Sequence, residues 1–261
     1  MWNKKEKYNF EDFKEIIKIL RSPGGCPWDR EQTHKTIRNE FIEETYEAVD
    51  AIDRDDATDL CEELGDVLLQ IMLHSQIASE AQEFSIDEVI DGVAKKMVLR
   101  HPHVFGDVNV ENTEQVLENW DRIKKSEKHQ TSYTDTLKSV PMAYPALMRA
   151  QKIQKRAGKV GFDFSDISEP LRKLDEEKGE FLEAIASGNE EAVFEEFGDL
   201  LFTMVNISRF LKIDSEEALQ KASDKFIKRF EAVENAVIKE NKDMKEMSLS
   251  ELDNIWDDIK K

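Results

Sequence analysis

An acidic motif occurs twice in this chain at a constant separation. The first copy reads Glu-Glu-x-x-Glu followed by Glu-x-x-Asp, and its residues are Glu43, Glu44, Glu47, Glu63 and Asp66. The second copy lies 133 positions further along, as Glu176, Glu177, Glu180, Glu196 and Asp199. Apolar residues accompany both copies at helical spacing: Leu64, Val67, Leu68, Ile71 and Met72, then Phe197, Leu200, Leu201, Met204 and Val205. This periodicity predicts a tandem repeat of one helical module.

The repeat extends beyond the acids. Trp28-Asp29 matches Phe162-Asp163, each after a glycine-containing turn, and the segments 96–100 and 120–125 match 225–229 and 256–261. We therefore predict an N-terminal module over residues 1–125 and a C-terminal module over residues 145–261. Residues 126–144 are polar and then interrupted by prolines, which is typical of a linker.

The predicted elements are almost all helices. Apolar residues recur every three or four positions over six segments, which are 10–20, 37–52, 60–80, 85–101, 146–156 and 216–240. Ser85 and Glu88 form a capping-box pattern, and Ser215 is the predicted cap of the last segment. Because no stretch alternates with period two, we predict an all-α fold with two bundles of about four helices each.

Composition excludes several classes of protein. The net charge is −19, so a protein that binds the phosphate backbone of nucleic acid is disfavoured. Cys26 and Cys61 are too few for a disulfide framework or a zinc site, and Cys61 is expected to be a small buried side chain. No apolar run approaches the length of a membrane span and the start has no signal-like apolar region, so we expect a cytoplasmic protein.

The repeated acids predict a metal site. Residues at i and i+3 project from one helix face, and two such helices packed antiparallel would bring four carboxylates together. Their mutual repulsion favours a multivalent cation, and oxygen ligands suit Mg²⁺, Mn²⁺ or Ca²⁺. The alternative is a solvated acidic face, since 56 of the 261 residues are acidic, but chance does not explain a second copy at the same spacing.

Two glycines inside the predicted helices share the register of the acids. Gly65 and Gly198 occupy equivalent positions, where glycine costs about 1 kcal/mol relative to alanine. They predict a close approach of another backbone, the metal shell or a ligand, with a plain packing role as the alternative.

The chemistry that suits such a site is hydrolysis of phosphate. Di-iron bundles use Glu-x-x-His, and no histidine takes that place here. Lys96 and Arg100 stand at i and i+4, as do Lys225 and Arg229, so each pair is placed to contact one polyphosphate unless it is ordinary surface charge. Trp120 is expected in the core, whereas Trp256 either stacks on a base or covers the core.

The chain resembles the MazG family of nucleoside triphosphate pyrophosphohydrolases in their two-module bacterial form. The resemblance covers nearly the full length and rests on both acidic motifs and on the segments 25–29, 32–34, 100–105, 160–163 and 256–260. It implies an all-α pyrophosphatase fold, hydrolysis of a nucleoside triphosphate to monophosphate and pyrophosphate, and a homodimer. It also implies Mg²⁺ ligands, which map onto Glu177, Glu180, Glu196 and Asp199 in the second module and Glu44, Glu47, Glu63 and Asp66 in the first.

The expected mechanism is attack of water on the α-phosphorus, a choice that comes from the resemblance. Glu176 or a ligand would accept the proton of the water, and Lys225 and Arg229 would neutralise the leaving pyrophosphate. The residues expected to contact the nucleotide are Lys173, Glu176, Glu177, Glu196, Lys225, Lys228, Arg229 and Trp256.

Two other functions are compatible with these residues: a non-catalytic sensor of Mg²⁺-nucleotide and an acidic helical scaffold for basic partners. The second module is expected to carry most of the activity, because additional cations lie near its motif: Lys152, Lys155, Arg156, Lys159, Lys173 and Lys228. The first module would be weaker or would mainly support assembly, with Lys96 and Arg100 beside its metal site.

Overall fold

The computed structural model describes residues 4–127 and 132–260, and within these ranges every regular element is helical. The expected all-α class is therefore confirmed. The chain forms two compact units, Met1–Glu127 and Lys128–Lys261. None of the helices in the described ranges has the length and apolar character needed to cross a membrane.

The first unit contains seven helices within the described residues. They are α1 (Phe10–Arg21), α2 (Pro27–Glu31), α3 (Arg38–Asp53), α4 (Ala57–Glu80), α5 (Ile86–Arg100), α6 (Pro102–Phe105) and α7 (Thr113–Glu127). The second unit contains α8 (Tyr133–Lys138), α9 (Ala146–Gly158), α10 (Ser168–Ser187), α11 (Glu190–Phe210), α12 (Ser215–Lys239) and α13 (Leu249–Ile259), with a 3₁₀ turn at Met244–Glu246. Within the part of the chain that the structure describes, each unit thus has five helices longer than ten residues, rather than about four.

Each unit is built around a helical hairpin that carries its acidic motif. In the first, Asp55 has a φ of +55° and the carboxylate of Asp56 caps the start of α4. In the second, Gly188 reverses the chain with a φ of +70° and Asn189 caps α11. Such short connections make α3 and α4, and likewise α10 and α11, antiparallel neighbours.

The interior of the first unit is a cluster of buried aliphatic and thioether side chains. Its buried members are Ile17, Ile37, Met72, Leu73 and Ile86, and Leu20 and Leu69 are among the partly buried residues packed against it. Burial of such side chains stabilises each by about 1.5–3 kcal/mol relative to exposure. In the second unit, the buried apolar residues Val205, Ile207, Val233 and Val237 belong to α11 and α12.

Most of the predicted helices appear within a few residues of their expected ends. The capping box of α5 is confirmed, because Ser85 Oγ accepts the N–H of Glu88 and Glu88 Oε2 accepts the N–H of Ser85. The predicted cap of α12 is wrong. Asp214 caps this helix, since its carboxylate accepts two backbone N–H groups, while Ser215 Oγ contacts Ser208 Oγ at 2.5 Å.

Two further expectations concern single residues of the helices that carry the acids. A Cβ added to Gly65 or Gly198 would meet no atom of the described residues within 4 Å, so no other backbone approaches them there, and the approach of a metal shell or ligand stays a prediction. Cys61 is exposed rather than buried. Met72 projects from nearly the same side of α4 three turns further along and is buried, so burial changes along the length of this helix.

The division at residues 126–144 stays a prediction. Residues 128–131 lie outside the described residues, and the remainder of that segment includes helix α8, which packs against α9. Arg156 on α9 supports this packing, since it donates hydrogen bonds to Thr136 O and to Ser139 Oγ. The segment is therefore partly folded onto the second unit.

Candidate metal centre and adjoining cavity

The α10–α11 hairpin brings three carboxylates together. Glu177, Glu196 and Asp199, here called the second acidic set, each offer one oxygen, and these oxygens lie within 4.8 Å of one another. Glu196 and Asp199 project from one face of α11 because they are three residues apart, and the hairpin turns α10 so that Glu177 faces them. Glu177 is buried, whereas Glu196 is half-buried and Asp199 is exposed.

The α3–α4 hairpin repeats this arrangement in the first unit. Glu44, Glu63 and Asp66, the first acidic set, again place one oxygen each within 4.8 Å of one another. All three are half-buried. The 133-residue repeat is therefore preserved in three dimensions as two similar groups of three oxygens.

Glu47 and Glu180 are the predicted ligands that these sets leave out. Neither offers an oxygen within the 4.8 Å groups. Both nevertheless lie close enough to act electrostatically, since Glu47 helps to raise the pKa of Glu63 and Glu180 helps to raise that of Glu196. Their role as fourth ligands stays a prediction.

The acids repel one another in both sets. Desolvation raises the pKa of Glu196 above its ordinary value, and the charges of Glu180 and Asp199 raise it further. The pKa values of Glu44 and Glu63 are raised as well, and desolvation is again the largest cause, followed by the charges of the neighbouring carboxylates. A divalent cation would offset this repulsion, and a donor group made only of carboxylate oxygens fits Mg²⁺ or Mn²⁺.

Lys173 connects the second acidic set to Glu176. Its ammonium lies 2.7 Å from Glu176 Oε1 and 2.8 Å from Glu177 Oε1, one turn along α10. These hydrogen bonds, to Glu176 first and then to Glu177, raise the pKa of Lys173. Lys173 thus bridges two neighbouring carboxylates of α10, and the catalytic role of Glu176 stays a prediction.

A cavity of about 530 Å³ adjoins the second acidic set. Two members of the set, Glu177 and Asp199, line it together with Lys173. The other lining residues are mostly apolar or aromatic: Leu137, Ile153, Gln154, Ala157, Gly161, Phe162, Asp163, Phe164, Phe202, Thr203, Asn206 and Arg209. The site thus combines a hard-cation position with a mainly apolar recess, as small-molecule sites commonly do.

No ion pair among the described residues joins the predicted cations Lys225, Lys228 and Arg229 of α12 to the second acidic set. Lys225 and Lys228 are exposed and Arg229 is half-buried, on a helix that packs against α9, α11 and α13. Trp256 on α13 contacts Phe226 with ring centroids 5.2 Å apart, and Lys260 lies over its ring. A direct role of these four predicted residues in binding nucleotide stays a prediction.

The corresponding cation of the first unit is engaged within the protein. Arg100 is buried, donates from Nε to Glu127 Oε2 at 2.7 Å, and lies over the ring of Trp120. Lys96 is half-buried on the same helix. Arg100 is therefore committed to contacts inside its own unit, in contrast to Arg229, for which no ion pair is found among the described residues.

A family model described as the MazG nucleotide pyrophosphohydrolase domain matches this chain twice, over residues 32–105 and 167–234. The two matches together span more than half of the sequence, and each contains one acidic set. The chain belongs to the MazG family. The two units therefore each contain a MazG domain.

Similar proteins extend the comparison over almost the whole chain. A protein of Escherichia coli K12 named nucleoside triphosphate pyrophosphohydrolase is 43% identical over 94% of this chain and 95% of its own length. A Thermotoga maritima protein named nucleoside triphosphate pyrophosphohydrolase/pyrophosphatase MazG is 42% identical over 96% of this chain and 95% of its own. The uncharacterized protein YabN of Bacillus subtilis is 47% identical over 97% of this chain, which spans only 52% of that relative.

A solved structure also aligns with part of the chain. The crystal structure of a MazG-related protein from Thermotoga maritima is 28% identical and covers 44% of this chain and 98% of its own, with a TM-score of 0.38.

Sequence reasoning missed the polar residues of the cavity in the second unit. Thr203, Asn206 and Arg209 follow Asp199 at four, seven and ten positions, so they share its face of α11. Gln154 interrupts an apolar face of α9 between Ala150 and Ala157. Polar residues at helical spacing on otherwise apolar faces were the available signal.

Proposed function

We propose that this protein hydrolyses nucleoside triphosphates to a nucleoside monophosphate and pyrophosphate, mainly in its second MazG domain and with Mg²⁺ or Mn²⁺ as cofactor. The observation that carries the proposal is the position of the second acidic set, whose Glu177 and Asp199 line the cavity. A scaffold for basic partners would need only an acidic surface. The cavity and the names of the E. coli and T. maritima relatives favour an enzyme.

The residues of the second acidic set would hold the cation, with Glu180 as a fourth ligand. A bound divalent cation would polarise the α-phosphate and lower the pKa of an attacking water. Glu176 would accept the proton of that water, which requires its carboxylate to exchange the contact with Lys173 for one with the water. Lys173 would keep its contact with Glu177 and would then have a donor available for a phosphate oxygen.

The cations of α12 would stabilise the leaving group. Lys225 and Arg229 stand one helical turn apart, so both are placed to contact one pyrophosphate, and Lys228 lies between them in sequence. Trp256 would add a flat apolar surface for the nucleotide. We propose these roles for Lys225, Lys228, Arg229 and Trp256 because α12 packs beside α11, the helix that carries Glu196 and Asp199.

Two contrasts favour the second domain over the first. Arg100 of the first unit is bound to Glu127 and covered by Trp120, whereas Arg229 is half-buried with no such ion pair among the described residues. The core of the first unit also contains a leucine at the repeat position of one cavity residue, since Leu73 lies 133 positions before Asn206. The first domain would mainly support assembly.

The products test the reaction class. With purified protein, Mg²⁺ and a panel of nucleoside triphosphates, we expect monophosphate and pyrophosphate, and in H₂¹⁸O the label should enter the monophosphate. Diphosphate with orthophosphate would place the protein in another reaction class. Label found only in pyrophosphate would move the attack to the β-phosphorus, and tight nucleotide binding without any product would favour the sensor.

We also propose that the protein is a homodimer. Large apolar side chains remain exposed on the helices that flank the acidic set, such as Phe194, which is 83% exposed, Phe197 and Phe226. Exposed apolar surface of this kind commonly marks an interface. Size-exclusion chromatography with light scattering should give a mass near twice the 30.3 kDa of one chain. A mass of one chain at the same protein concentration would contradict the dimer.

A further inference from the structure

The cavity of the second unit holds a buried side-chain oxygen without a partner among the described residues. Gln154 is 6% exposed, and its Nε2 donates to the backbone oxygen of Phe202 at 2.7 Å. Within residues 4–127 and 132–260, its Oε1 has no hydrogen-bond partner. Because burial of an unpaired acceptor is unfavourable, a ligand with an N–H group would satisfy this oxygen.

A second amide in the cavity offers the opposite group. Asn206 Oδ1 accepts a hydrogen bond from Arg209 Nη2 at 3.0 Å, and Arg209 is itself held by Asp163. This contact fixes the orientation of the amide and leaves its Nδ2 as the available donor. Gln154 thus contributes an acceptor and Asn206 a donor to a cavity with mainly apolar walls.

Such a lining matches the chemistry of a nucleobase. The edges of the bases pair a donor with an acceptor, and their faces stack on aromatic rings. Phe162, Phe164 and Phe202 supply aromatic rings to the lining, and the ring of Phe162 is accessible because this residue is 83% exposed. The volume of about 530 Å³ falls within the range of roughly 300–1,000 Å³ of small-molecule sites.

We propose that this cavity receives the nucleobase of the triphosphate and that Gln154 and Asn206 determine which bases are accepted. The inference rests on the proposed function, because it assumes that the triphosphate lies at Glu177 and Asp199. A base in the cavity would then lie beside the acids that hold the phosphates. The position equivalent to Asn206 in the first unit is Leu73, which supplies no amide.

The test compares base preference in the full chain and two variants. Values of kcat/KM for ATP, GTP, CTP and UTP are measured for wild type, Gln154→Leu and Asn206→Leu. Each variant should lower kcat/KM for the preferred nucleotide by about tenfold, as expected for one lost hydrogen bond, and reduce the ratio between the best and worst base. Inorganic tripolyphosphate, which has no base, should inhibit all three proteins with the same inhibition constant.

Gln70→Leu is the matched control. Gln70 is also 6% exposed, and its Oε1 likewise has no partner among the residues described, but it belongs to the first unit. This substitution should leave the base ratios unchanged. The melting temperature of each variant shows whether it folds. If Gln154→Leu does not fold, the base ratios of Asn206→Leu test the proposal.

The outcomes separate this inference from the proposed function. Pyrophosphate release with base ratios unchanged in the folded variants would overturn the base site and leave the activity standing. If the wild-type protein hydrolyses no nucleotide, the proposed function is contradicted. Titration calorimetry with α,β-methylene triphosphates of the four bases then tests whether the cavity binds a nucleobase. Binding whose base preference is lost in the variants supports the base site, whereas equal or absent binding overturns it.

Discussion

Removal of divalent cations is expected to abolish pyrophosphate release. The proposed ligands are all carboxylates, and desolvation together with mutual repulsion already raises the pKa of Glu196. Without a cation, the acidic set would repel the triphosphate rather than bind it. Activity should therefore fall to background in excess chelator and return on addition of Mg²⁺ or Mn²⁺.

A binding measurement accompanies this test. Because the cation would bind the folded protein and not the unfolded chain, Mg²⁺ at about 100 times its dissociation constant should stabilise the folded state by roughly 2.7 kcal/mol. Differential scanning calorimetry measures the accompanying rise in melting temperature. Full turnover in excess chelator would contradict the metal mechanism.

Asp199→Asn is expected to lower kcat/KM by on the order of 10²-fold or more, because it removes one charged oxygen ligand while preserving the shape of the side chain. Asp66→Asn is the matched control, since Asp66 occupies the same place in the first acidic set. We expect this variant to keep turnover near wild type, because the first domain is proposed to support assembly.

Stability measurements distinguish a lost ligand from a damaged fold. Each substitution removes one negative charge from a group of mutually repelling carboxylates, so neither should lower the melting temperature in the absence of metal. In Asp199→Asn the stabilisation by Mg²⁺ should decrease. If Asp66→Asn abolishes turnover and Asp199→Asn leaves it intact, the assignment of activity to the second domain is reversed.

The sequence predicted the acidic sets well because their spacing is local. Residues three apart must share a helix face, so Glu196 and Asp199 were certain to project together once α11 formed. The N-terminal cap of α12 was harder to predict from the sequence. Asp214 and Ser215 are both good caps, and the contact of Ser215 with Ser208, seven residues earlier, accompanies the choice of Asp214.

Helical periodicity in the sequence does not predict contacts between helices that are far apart in the chain. The sequence showed Arg100 and Arg229 as equivalent cations, but Glu127 and Trp120 bind only the first of them. Likewise, the sequence placed four acids at each centre, whereas three oxygens in each centre lie within 4.8 Å. Such differences depend on the angle and offset at which helices pack.

The sequence by itself determined the all-α class, the tandem repeat, the family resemblance and the helix faces that carry the acids. All of these follow from spacing within single helices and from the 133-residue repeat. Tertiary structure alone decided that Gln154 of α9 and Asn206 of α11 line one cavity beside the second acidic set. The physical reason is that helical periodicity fixes where a side chain projects, whereas its neighbours are chosen by packing between helices far apart in the chain.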